Sequence, residues 1–261
     1  MEQERIFSPQ CPLQGVVLVK DSLEADGTFL IPYTLKEGLS SGYKVVLLCL
    51  ANTVSNYLYM LRKLGTNLAA CMKSRQVAAV EALSQPWLAD VLTAKDAMRC
   101  VEEKLAEAVA GLQGGESELC VIFDSLSLLR ELCGSEAQWR GFVHRCSSPG
   151  SFLQGAACVV MRVHADVDEA SVWPAYLEHS AQVVLQVDAL EAGQAMDITG
   201  QLTVVQRCLP PDVEQPSTQP ILGQQATGGK ARMQHTWLMN YKLAENGVRL
   251  TSRLVSRRPN R

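Results

Sequence analysis

A chain of 261 residues that is 47% hydrophobic and 20% charged can bury a large core, which excludes a disordered protein and fits one sizeable α/β domain. The formal net charge of −3 excludes a uniformly basic nucleic-acid binder and leaves only a localised face for that role. Nine cysteines, scattered from Cys11 to Cys208 with no C-x-x-C pair, suggest neither a disulfide framework nor a zinc site and read as small buried hydrophobes.

No apolar run approaches ~20 residues, and the start carries Glu2, Glu4, Pro9 and Pro12, so neither a signal peptide nor a membrane span is expected. That places the chain in a reducing compartment, the cytoplasm or also the nucleus.

The first strand is Val16-Val17-Leu18-Val19, β-branched and short, ending at Lys20-Asp21. A helix begins at Asp26 or Gly27, with Pro32 tolerated near its first turn, and ends at Ser41-Gly42. Val45 to Ala51 is apolar almost throughout and forms a second strand covered on both faces. Asn52 is placed to cap a helix carrying Val54, Tyr57, Leu58, Leu61 and Leu64, which Gly65 stops. Residues 66–94 hold an irregular strand or a lid-like loop and receive no function.

Met98, Val101, Leu105, Val109 and Leu112 recur at helical spacing before Gly114-Gly115. Leu119 to Phe123 is a strand that runs into Asp124-Ser125 at its carboxyl end, where α/β sheets place ligands. A helix opens with capping-box spacing at Ser135 and Gln138 and stops at Ser147 to Gly150. Strands follow at Ala157 to Val163 and Gln182 to Val187, with a short helix at Ala175 to His179 between them. Gln201 to Arg207, Thr236 to Leu243 and Val248 to Leu254 alternate as antiparallel strands, the last two joined by a turn at Glu245-Asn246-Gly247. Residues 209–234, rich in proline, glycine and glutamine, read as a flexible loop within the same domain, which spans 1–261.

A strand, loop and helix followed later by an apolar strand ending in Asp is the layout of a phosphate-loop nucleotide domain. With Thr28 set at the magnesium-binding hydroxyl of G-x-x-x-x-G-K-[ST], the first glycine becomes Asp21, the second Asp26, and the lysine Gly27. The loop is therefore degenerate: it lacks the phosphate-binding cation and carries carboxylates where amides should cradle an anion. Two like charges ~4 Å apart repel by roughly 4 kcal/mol at an effective dielectric of 20, enough to defeat ordinary nucleotide affinity. Lys20 is the nearest candidate for a compensating cation but stands on the wrong side of the loop. The same Asp26-Gly27 also serves as a helix-starting turn in an unrelated α/β fold.

Asp124 stands where a Walker-B carboxylate would, and without an upstream lysine it reads as a helix N-cap. His164, Asp166, Asp168 and Glu169 read as a solvated loop and not a metal cluster, and Cys146 near His144 lies on an ordinary helix. Neither a catalytic residue, a cofactor nor a metal is expected. Arg249, Arg253, Arg257, Arg258 and Arg261 form a positive stretch that can meet phosphates or serve as a solvated tail.

The run from Ala25 to Leu30, the strand from Lys44 to Ala51, Ser55-Asn56-Tyr57, Lys63-Leu64-Gly65 and the segment from Leu119 through Ser127 together resemble the family of the sixth Elongator subunit. The resemblance implies an α/β fold of the RecA-like type, a mainly parallel sheet flanked by helices with an antiparallel extension at its C-terminal edge. It implies a noncatalytic subunit that joins the fourth and fifth Elongator subunits in a heterohexameric ring. That ring attaches to the catalytic Elongator subunits and handles tRNA during wobble-uridine modification. Loops facing the ring centre would meet RNA, and Arg130, in the loop after Asp124, and the acidic loop after His164 are the nearest counterparts. An RecA-like ATPase with an atypical loop and an unrelated α/β interaction protein are the competing readings.

Overall fold

The computed structural model describes residues 6–7, 11–82, 97–112, 117–147, 153, 156–166, 172–190, 197–208, 233–244 and 247–253. Its centre is a nine-stranded sheet. Five helix-linked strands lead the chain through it: β1 (Gly15–Asp21), α1 (Leu30–Ser40), β2 (Lys44–Cys49), α2 (Val54–Lys63), α3 (Leu68–Lys73), β3 (Val77–Glu81), α4 (Ala97–Leu112), β4 (Leu119–Phe123), α5 (Leu126–Glu131), α6 (Glu136–Ser147) and β5 (Ala156–His164). Then come α7 (Val172–Ser180), β6 (Val183–Asp188), β7 (Gly200–Cys208), β8 (Met233–Ala244) and β9 (Gly247–Arg253).

The strand order is β3-β2-β4-β5-β1-β6-β7-β8-β9. Pairing is parallel from β3 to β6 and antiparallel from β6 through β9, so the expected extension at the C-terminal edge is present.

Period-two alternation explains why the central strands are apolar throughout. Val16 and Leu18 of β1 enter one core while Val17 and Val19 enter the other, and Val46 and Leu48 of β2 part from Val45 and Leu47 in the same way. One core packs against α4, α6 and α7, the other against α1 and α2. Each such side chain contributes about 1.5–3 kcal/mol on full burial, so a charge in the middle of these strands demands a partner.

The antiparallel extension packs back onto α1. Tyr33 of α1 donates its hydroxyl hydrogen to the Val248 carbonyl at 3.0 Å and accepts from the Val248 amide at 2.9 Å, while Phe29 lies 4.8 Å from the Tyr241 ring. The clasp satisfies backbone groups on an edge strand that would otherwise invite pairing.

Several boundaries differ from the sequence reading. Helix α1 starts at Leu30, after a turn closed by Leu30 N–H to Gly27 C=O, and not at Asp26 or Gly27. Thr53, not Asn52, caps α2 by accepting from the Asn56 amide. Within 66–94, α3 and the edge strand β3 are ordinary elements, and 83–96 lie outside the described residues. Strands β7 and β8 flank the expected loop, Cys208 opposite Met233, with 209–232 outside the described residues. The turn at Glu245-Asn246 also lies outside them, although Ala244 pairs with Gly247.

Candidate functional site

The carboxyl ends of β1, β4 and β5 meet at the loop from Asp21 to Thr28. Asp21 closes β1 and is 1% exposed. Its Oδ2 accepts from the Gly27 amide at 2.8 Å, which pulls the loop back onto the strand, and a Cβ placed on Gly27 would stand only 2.9 Å from the Asp21 Cβ. Asp26 accepts from both the amide and the hydroxyl of Thr28, the former at 2.8 Å. The Ser22 and Ala25 amides bond each other's carbonyls, and the Leu23 amide donates to Asp166. The amides of Ser22, Leu23, Ala25, Gly27 and Thr28 are thus already bonded to the chain's own oxygens and are not available to an incoming anion.

A cation is present, but it comes from another strand. Arg162 of β5, opposite Val19 in register, is 4% exposed. Its Nε donates to Asp21 Oδ2 at 2.8 Å and its Nη2 lies 2.6 Å from the same oxygen. Nη2 also donates to Asp26 at 2.9 Å, and Nη1 donates to the Asp124 carbonyl at 3.3 Å. One guanidinium therefore joins β1, the loop and the end of β4. His164 Nδ1 completes the surround, 2.8 Å from Asp21 Oδ1, an ion pair whenever the imidazole is protonated.

Burial raises the pKa of Asp26, but hydrogen bonds from Thr28 and the charges of Arg162 and His164 outweigh it and hold the carboxyl below its ordinary 3.8. Lys20 projects to the other side of β1, as alternation requires, and pairs with Glu178 of α7 at 2.7 Å.

Asp124 corrects the sequence reading. The N-cap of α5 is Ser125, which accepts from the Leu128 amide. Asp124 instead reaches across to β2: Oδ1 accepts from the Leu50 amide at 2.7 Å, Oδ2 from the Asn52 amide at 3.1 Å, and both from Ala51. The Tyr57 hydroxyl donates to Oδ2 at 3.1 Å. Burial raises the Asp124 pKa above 3.8 against these four donors, and it also pushes the Tyr57 phenol well above its usual value. The carboxylate that would orient a metal in a working nucleotide site is here the anchor of the β2–α2 turn.

The other sequence candidates scatter. Arg130 lies on α5, not in a loop, because Leu126–Glu131 follow a capping serine; it pairs with Glu136 at 2.9 Å, donates to the Cys133 carbonyl and stands over the Trp139 ring. Those contacts tie α5 to α6. Arg249 is exposed on β9 and Arg253 ends that strand, whereas Arg257, Arg258 and Arg261 lie outside the described residues, as do Asp168 and Glu169. Among the described residues no group of three or more His, Cys, Asp or Glu side chains is placed to hold a metal ion. Burial raises the Cys146 thiol far above its ordinary pKa, so it is no nucleophile, and His144 is exposed on the same helix.

Arg162 is the residue that sequence reasoning missed. Its signal was available: a lone charge within Cys158-Val159-Val160-Met161-Arg162-Val163, a strand otherwise buried on both faces, must be paired by carboxylates from neighbouring elements.

Comparison with known proteins places this arrangement. The backbone is similar to that of a KaiC-like protein from Pyrococcus horikoshii, with a TM-score of 0.56 and 12% identity over 92% of this chain and 90% of the other. An uncharacterized protein from the same organism, in complex with an unknown peptide, gives 0.52 over 92% of each chain. Both likenesses speak for the fold alone, which is RecA-like. Among curated proteins, Elongator complex protein 6 of Danio rerio is 29% identical over 216 residues, 76% of this chain and 82% of the relative. The Xenopus tropicalis and Homo sapiens proteins of the same name are 25% and 24% identical, over 76% and 77% of this chain and 81% and 82% of their own lengths. A family model described as Elongation complex protein 6 matches residues 6–222, and the chain belongs to that family.

Proposed function

We propose that this chain is a noncatalytic subunit of the Elongator complex, one that keeps the RecA-like fold for assembly after losing its nucleotide chemistry. It joins the fourth and fifth Elongator subunits in a heterohexameric ring that attaches to the catalytic subunits and supports tRNA wobble-uridine modification in the cytoplasm or the nucleus. The observation that carries this reading is the Arg162 guanidinium on Asp21, Asp26 and the Asp124 carbonyl. A site whose cation and whose Ser22, Leu23, Ala25, Gly27 and Thr28 amides are already bonded within the chain has little left for an incoming triphosphate, and it adds two carboxylates. Membership of the Elongation complex protein 6 family supports the assembly part of this reading.

The test is a mixing experiment. The chain is combined with the fourth and fifth Elongator subunits, complex mass is read by size exclusion with light scattering, and ATP is titrated into the chain alone. A heterohexamer and no ATP binding are expected. Self-association only, or tight ATP binding that disappears in a Lys20→Ala variant, would overturn the reading.

A further inference from the structure

Between Glu37 and Glu81 the chain carries no acidic residue, although its formal net charge is −3. The interval includes α2 and α3, and four of its cations are exposed there, Arg62, Lys63 and Lys73 on the helices and Arg75 in the turn that ends α3. On the helices of the opposite face the exposed arginines stand in ion pairs, Arg99 with Glu103, Arg140 with Glu136 and Arg145 with Glu102. None of these four makes an ion pair or side-chain hydrogen bond among the described residues. Lys63 lies 4.6 Å from the centroid of Tyr59, a ring 61% exposed.

Cations in the last turn of a helix complement its dipole, which accounts for Arg62, Lys63 and Lys73 one at a time. It does not account for Arg75. Helices α2 and α3 end in the same Schellman motif. In α2 the Thr66 amide bonds the Leu61 carbonyl and the Gly65 amide bonds that of Arg62; in α3 the Gln76 amide bonds Cys71 and the Arg75 amide bonds Met72. The motif requires a left-handed residue. The first helix supplies Gly65, at φ 80°, whereas the second holds an arginine at φ 58°, the one described non-glycine residue with a positive φ. A conformation that favours glycine is occupied by a side chain whose only visible asset is an exposed charge.

We infer that the α2–α3 face is a docking surface for the phosphate backbone of RNA, with Arg62, Lys63, Lys73 and Arg75 as the phosphate contacts and Tyr59 as the adjoining aromatic platform. The patch favours RNA over an acidic protein segment because Tyr59 is its single exposed large hydrophobic side chain. A protein interface is built round an apolar centre, whereas nucleic-acid interfaces are polar and strongly positive. Gly247 at the head of β9 sits against Leu64, so the strand that carries Arg249 enters beside the basic end of α2. The choice of RNA among polyanions rests on the proposed Elongator reading; the existence of the anion surface does not.

The test measures binding of the full chain to a fluorescent 20-base-pair RNA duplex over a range of salt. Replacing all four cations by glutamine should flatten the slope of log K against log salt by about three units, since each phosphate contact contributes roughly 0.7–0.9. A control replaces Arg99, Lys104, Arg140 and Arg145, which stand in ion pairs on α4 and α6 on the other side of the sheet, with the same change in net charge. Arg75→Gly is the decisive single variant. It should raise Tm, because glycine relieves the left-handed backbone, and yet flatten the slope by nearly one unit. An Arg75→Gly chain that is more stable and binds RNA unchanged would overturn the inference. So would a control as damaging as the patch variant, or a poly-glutamate peptide that binds through the four cations when RNA does not. If the chain fails to join the ring but the slope still falls, the Elongator reading fails and the surface stands; if the ring forms and the slope holds, the surface alone fails.

Discussion

Replacing Arg162 by methionine tests whether the guanidinium is what closes the degenerate loop. The side chain is 4% exposed and that of Asp21 is fully buried, so the substitution leaves a carboxylate in the interior with only the Gly27 amide and His164 beside it. Removing one partner of a buried pair costs about 3–5 kcal/mol, of which the contact to the exposed Asp26 supplies little. For a domain of this size ~1 kcal/mol shifts Tm by about 2–4 °C, so a fall of roughly 10–15 °C is expected by calorimetry or by circular dichroism. Asp21→Asn should cost less, because Arg162 keeps Asp26 and the Asp124 carbonyl as acceptors. In the double variant the loss should be well short of the sum, since the buried charge that made Arg162→Met costly has gone. An Arg162→Met protein within about 1 kcal/mol of the parent, or strictly additive losses, would refute the account.

Gly27→Lys, which rebuilds the missing lysine of the phosphate loop, should lower stability by about 1–3 kcal/mol and give no ATP binding in a calorimetric titration, because its Cβ would meet the Asp21 Cβ at 2.9 Å. Asp124→Asn sets an amide against the Leu50, Ala51 and Asn52 N–H groups and the Tyr57 hydroxyl, and should cost about 2–4 kcal/mol in urea unfolding, against about 1 kcal/mol for Tyr57→Phe. The two carboxylates should also part on acidification. Asp26, with its pKa lowered, contributes stability above 3.8 that is lost as pH falls through its folded value, so the gap between the parent and Asp26→Asn should close in that acid window. Asp124, with its pKa raised, carries the opposite sign and loses stability as pH rises from 3.8 through its folded value.

The central strands were legible because burial on both faces leaves an unbroken apolar run, as in Val45–Cys49 and Leu119–Phe123. The antiparallel extension was legible from alternation in Gln201 to Arg207 and around Thr236 to Leu243. Strand β3 was read only as an irregular strand or a lid-like loop because its burial is partial at Ala78, Ala79 and Glu81 and its composition, Val-Ala-Ala-Val-Glu, signals neither period. Helix α5 was announced only by the cap assigned to Asp124, and Arg130 was placed in a loop, because six residues are too few to display helical spacing. The segment from Asp21 to Thr28 could be set residue by residue against the phosphate-loop pattern, but its closure by Arg162 could not be read from the sequence. The closing guanidinium lies 136 residues further on from Asp26, and pairing at that separation is fixed by the neighbouring positions of β1 and β5 in the sheet, which no local pattern encodes. Asp124 was found for the same reason that it was misassigned: its place at the end of β4 is local, whereas its partners at Leu50 to Asn52 are not.

Loss of the phosphate-binding lysine alone would leave a pocket lined by amides, and such a pocket still draws anions. In this chain the loop is closed by its own charges. Asp21 and Asp26 supply the negative charge from within, Arg162 neutralises it, and the Asp124 carbonyl fixes the other end of the guanidinium, so the ends of β1, β4 and β5 are bridged without a ligand. Each part depends on the rest. Arg162 without Asp21 is a buried cation left with the Asp124 carbonyl and the exposed Asp26, Asp21 without Arg162 is a buried anion left with the Gly27 amide and His164, and either state is costly. On the proposed reading, nucleotide binding would require Asp21, Asp26, Gly27 and Arg162 to change together, and single steps at Asp21, Gly27 or Arg162 each pass through a less stable protein.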